Sequence, residues 1–194
     1  MKKLMVILTV GIVMVLVGIL HEFNHHGTRA EDAVAAANHV PIEVLFEHQL
    51  NRESVVLYRT IGGDDLSLAF LRRSFTGVDY VAGIRQFDVS QLEEQAGLTY
   101  VVLPKGDGVP FTIYAGTSTR PELNDVFITE PGFQIAHNIT MMESRVEENI
   151  YVWMAISPDF TGAHFNIIGV DAQGVVVADI ENDGTLRTIH TVIP

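Results

Sequence analysis

Apolar positions along the chain fall into one unbroken run followed by many short, alternating ones. Residues 4–20 (LMVILTVGIVMVLVGIL) carry no charge over 17 positions. A membrane-spanning helix needs roughly 17–25 such residues at ~1.5 Å rise each. Lys2 and Lys3 precede the run. Basic flanks stay on the cytoplasmic side, so the run reads as a signal anchor with its N-terminus cytoplasmic. The C-terminal domain is then extracytoplasmic in a single-pass cell-membrane protein. Secretion after signal cleavage is the alternative. However, the stretch HEFNHH at residues 21–26 offers no small-x-small cleavage pattern.

Three segments follow from this: residues 1–23 as cytoplasmic stub and transmembrane signal anchor, 24–29 as linker, and 30–194 as an extracytoplasmic α+β domain. Thr28 with Glu31 three positions later has capping-box spacing and opens an alanine-rich helix over residues 30–38. Pro41 enforces its end, because the residue before a proline avoids the helical region. Strand patterns then dominate. Residues 42–49 alternate around Ile42, Val44, Phe46 and His48. Residues 54–61 (SVVLYRTI) are β-branched and aromatic, and Gly62 and Gly63 begin a turn. Further extended runs cover residues 66–75 and 78–89. Ser90 and Glu93 cap a second short helix over residues 90–96, stopped by Gly97.

The second half repeats the strand pattern at residues 98–103, 111–115, 125–129, 133–137, 149–156, 164–170, 174–180 and 185–192. Turn residues separate the last three, at Asp171 to Gly174 and Asn182 to Gly184. The run NIYVWMAI at residues 149–156 is apolar on both faces, which predicts a strand buried on both sides around Trp153. The expected fold class is α+β: an N-terminal single transmembrane helix, then a mainly antiparallel β domain with one or two short helices.

Composition narrows the function. The 194 residues hold 12 Lys and Arg against 24 Asp and Glu, a formal net charge of −12, and no cysteine. That balance opposes binding to a phosphate lattice, so no nucleic acid partner is expected. Without cysteine there is no disulfide framework, thiolate metal site or thiol nucleophile.

The candidate chemistry is sparse. His21-Glu22-Phe23-Asn24-His25 fits H-E-x-x-H, which on a helix puts two histidines on one face with a glutamate as base. A third ligand is missing; the motif's place after the apolar run resembles the opening of intramembrane zinc proteases, and that resemblance implies several further membrane segments, which the sequence after residue 23 does not offer. Asp179, Glu181, Asp183 and Gly184 match the start of a calcium loop. Position 12 is His190 instead of glutamate, and a β-turn accounts for the same residues. Ser74, Ser118 and Ser157 lie outside any nucleophile elbow. His137, His164 and His190 fall in or beside strands. The pairs Glu93-Glu94 and Glu147-Glu148 read as solvated acids, and Asn138-Ile139-Thr140 is a sequon. No catalytic, cofactor-binding or metal-ligating residue is therefore assigned, and no cofactor is expected.

Several stretches carry a family likeness: AEDAV at residues 30–34, VVLYR at 55–59, LSLAFLRRSFTG at 66–77, YAGTSTRPELNDVFI at 114–128 and DAQGVVV at 171–177. In these the chain resembles small membrane-anchored or secreted proteins of unknown function from Gram-positive bacteria. The resemblance implies an address and a shape, not a reaction.

The expected function is a non-catalytic binding or accessory module of the cell envelope. Its expected partners are the membrane, through the N-terminal helix, and a protein or cell-wall component. Three alternatives stand beside it. One is an envelope hydrolase whose site joins distant residues such as His137, His164, His190 and the acids. The second is a metal-binding protein using the HEFNH segment. The third is a homo-oligomeric spacer.

Overall fold

The computed structural model describes residues 29–63, 65–75, 77–86, 98–106, 108–132, 140–143 and 151–182. Helix α1 (Ala30–Asn38) leads the described chain. Its N-cap is Arg29, in extended conformation and without a side-chain capping bond, while Thr28 lies outside the described residues. At the other end Asn38 Nδ2 donates to the Val34 carbonyl at 2.8 Å, and His39 takes the left-handed conformation (φ 56°) that reverses the chain.

Three antiparallel sheets follow among the described residues. The first is a meander of β1 (Ile42–Leu50), β2 (Glu53–Thr60), β3 (Leu66–Arg73) and β4 (Val78–Gln86). The second runs in the order β5 (Val101–Leu103), β6 (Thr112–Ser118), β9 (Tyr151–Ser157), β8 (Thr140–Glu143). The third places β10 (Phe165–Val170) between β11 (Val176–Asn182) and β7 (Asp125–Thr129).

Strand periodicity assigns the faces, since successive side chains point to opposite sides. On β6, Ile113 and Ala115 join Leu57, Leu68 and Phe70 of the first sheet in one core. The intervening Tyr114 enters a second core with Ile128, Phe165 and Ile167 of the third sheet. On β9, Val152 and Met154 face the first sheet, and Trp153 and Ala155 face the third. The second sheet is thus buried on both faces, as the two-sided apolar run around Trp153 requires. A further core sets Ala30, Ala33 and Val34 of α1 on Val56, Tyr58, Ala69 and Leu71 of the first sheet. The layers stack as α1, first sheet, second sheet, third sheet. Bulges keep the alternation flexible: one between Val44 and Phe46 lets Leu45 and Phe46 both enter the inner core.

This architecture corrects the α+β expectation. Among the described residues the chain is mostly antiparallel β with a single short helix, and no helix there is long and apolar enough to cross a membrane. Helix α1 has nine residues, about 14 Å at the α-helical rise, enough to cover part of one sheet and no more. The membrane descriptions attached to the N-terminal run are not supported by the described structure. Residues 4–20 and the helix expected over residues 90–96 lie outside the described residues. Strand β8 was not expected, because its residues TMME show no alternation of apolar and polar side chains.

Candidate functional site

One end of the third sheet carries a buried acid and a pocket. Glu130 follows β7 directly and is only 4% exposed. Its Oε1 accepts hydrogen bonds from Tyr114 Oη at 2.6 Å and from Gly162 N at 2.6 Å. Its Oε2 accepts from Thr161 N at 2.8 Å and Thr161 Oγ1 at 3.1 Å. Two successive backbone amides and two hydroxyls thus cradle one carboxyl group, the arrangement that makes a buried acid tolerable.

The segment donating those amides is held independently. Ser157 Oγ accepts from the amides of Asp159 and Phe160, and Thr112 Oγ1 donates to the Phe160 carbonyl at 2.6 Å. Tyr114 meets the rings of Phe160 and Phe165 edge-on. Burial pushes the Tyr114 phenol well above its ordinary range, and the bond and charge of Glu130 push it further. The phenol therefore stays protonated and keeps donating. Nearby Tyr100 is raised to about 12 by burial.

Beside this clamp opens a pocket of about 450 Å³, within the roughly 300–1,000 Å³ of small-ligand sites. Its polar lining includes Thr129, Glu130, His164, Asn166, Glu181 and Asn182. Three of these form one row across the sheet: Asn166 is the Cα partner of Thr129 on β7 and of Glu181 on β11. They point away from the core, since the neighbouring Ile128 and Ile167 point into it.

The next rows on this outer face are apolar in the middle. Ile168 pairs with Phe127 and Asp179, and Val170 pairs with Asp125 and Val176. Phe127, Ile168 and Val170 are half-buried, and Val176 is 56% exposed. Asp125, Asp179 and Glu181 border the stripe, and β7, β10 and β11 contain no Lys, Arg or His.

The residues singled out in the sequence are dispersed. His164 is exposed and lines the pocket with Glu130 and Glu181. Glu130, however, already has both oxygens engaged. Asp179 and Glu181 lie in extended β11, not in a calcium loop. Ser74 bonds to the Gly77 carbonyl in the β3–β4 turn, Ser118 is buried at the end of β6, and Ser157 braces the clamp segment. No group of three or more His, Asp and Glu that could hold a metal occurs among the described residues. His21, Glu22, His25, Glu93, Glu94, His137, Asn138, Glu147, Glu148, Asp183, Gly184 and His190 lie outside them.

Sequence reasoning missed Glu130 and the outer stripe. The stripe had a signal: β7 (DVFIT) and β10 (FNIIGV) place large apolar residues at consecutive positions, which puts apolar groups on both faces. Glu130 had none, because its partners lie 16 to 32 positions away. No protein-family model matches the chain, and neither the curated proteins nor the solved structures return a match.

Proposed function

We propose that this chain is a non-catalytic binding module whose working surface is the outer face of the third sheet with its adjoining pocket. The observation that supports this reading is the Phe127–Ile168–Val170–Val176 stripe. The terminal face of an antiparallel sheet is ordinarily polar where it meets water. Here it is apolar at its centre and acidic at its edge, while the corresponding outer face of the first sheet is packed against α1. An apolar patch with a polar rim is the anatomy of an interaction site. The engaged oxygens of Glu130 favour a structural role for this buried acid over a general-base role.

The test is site-specific photo-crosslinking in native cells. A photoreactive residue at Phe127 should form a discrete adduct that the Ile168→Asp, Val170→Asp double variant abolishes. The same probe at Glu31, on α1, should not form it. Equal adducts from both positions, or an adduct indifferent to the double variant, would contradict this assignment.

Export of the domain is part of the proposal and rests on the sequence alone: Lys2 and Lys3 ahead of residues 4–20. Protease added to intact spheroplasts should digest the domain. Full protection would place it inside.

A further inference from the structure

We infer that the partner is an extended peptide segment that is cationic and apolar by turns, seating one Lys or Arg head in the pocket and its apolar side chains on the stripe. This rests on the binding-module reading and adds the chemistry of the occupant. Three observations carry it.

The first is charge. The rim residues Asp125, Asp179 and Glu181, with Glu130 beneath the pocket, are all acidic, and the three strands supply no cation. The whole chain is at −12. An anionic partner is repelled, and so is a second copy of this chain, whereas a cationic segment is attracted and steered.

The second is the pocket's position. It is continuous with the stripe through the Thr129–Asn166–Glu181 row, and its outer lining offers carboxylate, hydroxyl and amide oxygens. An ammonium or guanidinium group brings donors only and matches acceptors of this kind.

The third is spacing. The Asn166, Ile168 and Val170 rows succeed one another two residues apart, about 6.6–6.8 Å per step along a strand. An extended segment lying along β10 presents its own side chains at the same interval. For a segment running in the direction of β10, a cation over the Asn166 row puts the side chains two and four residues later over Ile168 and Val170. The alternation required of the occupant is thus Lys or Arg, then apolar, then apolar, on one face of a strand.

The experiment is fluorescence anisotropy with the full-length chain and three labelled peptides. One carries Lys with Val at the second and fourth following positions and Ser between. The others replace Lys by Glu, or both Val by Ser. The Lys–Val peptide should bind, and the Glu form should bind at least about tenfold more weakly. The Ser-for-Val form should also lose affinity. Glu181→Gln should weaken the Lys–Val peptide by about threefold, the scale of one partly exposed ion pair, and reduce its salt dependence. Glu181 is on the surface, so that variant keeps its fold, and Ile168→Thr provides an independent check on the stripe.

Equal binding of the Lys and Glu peptides would overturn the inference. So would affinity unchanged by both Glu181→Gln and Ile168→Thr, or a dimer of the chain that Ile168→Asp dissolves. If no peptide binds while the Phe127 crosslink persists, the occupant's chemistry is wrong and the binding surface stands. If both fail, the surface itself is wrong.

Discussion

Gly116 and Trp153 face each other across the β6–β9 ladder, and the indole fills the space that a side chain at 116 would need. A methyl carbon there would lie 2.8 Å from Trp153 Cε2 and would collide with the carbonyl oxygen of Thr99. The largest fully buried side chain of the protein thus sits where the opposing strand has none. That exchange of volume lets β6 and β9 pair while the indole packs toward the third sheet at close-packed density.

Gly116→Ala should accordingly destabilise the fold by about 1–3 kcal/mol, the usual cost of overpacking, and more if the Thr99 backbone cannot yield. Urea denaturation followed by Trp153 emission measures it. As the only tryptophan, and fully buried, Trp153 should emit blue-shifted in the native state and move red at the transition. A Gly116→Ala variant as stable as the wild type would show that the indole does not occupy that space.

Glu130→Ala should cost about 3 kcal/mol or more, because it leaves the Tyr114 hydroxyl and the Thr161 and Gly162 amides without an acceptor. Tyr114→Phe removes one donor and leaves the other three, so its cost should be smaller, about 1–2 kcal/mol. Equal losses would contradict the clamp geometry.

Stability should fall in alkali. The phenols of Tyr100 and Tyr114 have folded pKa values raised above 10, the first to about 12 and the second further in the same direction. Such groups bind more protons folded than unfolded. Their contribution is complete below about pH 10 and is lost as pH rises through the folded values, at up to about 1.4 kcal/mol per pH unit for each tyrosine. Urea midpoints between pH 8 and 11.5 should decline from about pH 10, and less steeply in Tyr100→Phe. A flat profile would remove burial as the cause.

Adjacent isoleucines should behave oppositely. Ile167 is fully buried against the second sheet, and Ile168 looks outward. Ile167→Ala should cost about 2–5 kcal/mol, whereas Ile168→Ala should cost about 1 kcal/mol or less. Chemical denaturation of the two variants decides whether the outer stripe is dispensable for folding, as a binding surface should be.

Individual strands were readable because each depends on its own residues. Strand β7 emerges at Asp125–Thr129 as the pattern DVFIT indicates, and the turn expected at Asp171 to Gly174 is built on the Asp171 carboxylate accepting from Gln173 N and Val175 N. Pairing was not readable. Period two assigns a face but no neighbour, so nothing local says that β6 lies against β9 or that β7 lies against β10. The balance of helix and strand was misjudged for a related reason: one short helix packs on only part of the first sheet, and the second sheet is covered by other sheets. The pocket needs Thr129, His164 and Glu181 together, and their meeting follows from that pairing.

The most direct test of the binding surface is a titration of the isotope-labelled chain with the Lys–Val peptide, followed by backbone amide shifts. Changes should concentrate at Phe127, Asn166, Ile168, Val170 and Glu181 and saturate together, with α1 and the first sheet unmoved. Shifts centred on α1, or scattered over all three sheets without saturation, would contradict it.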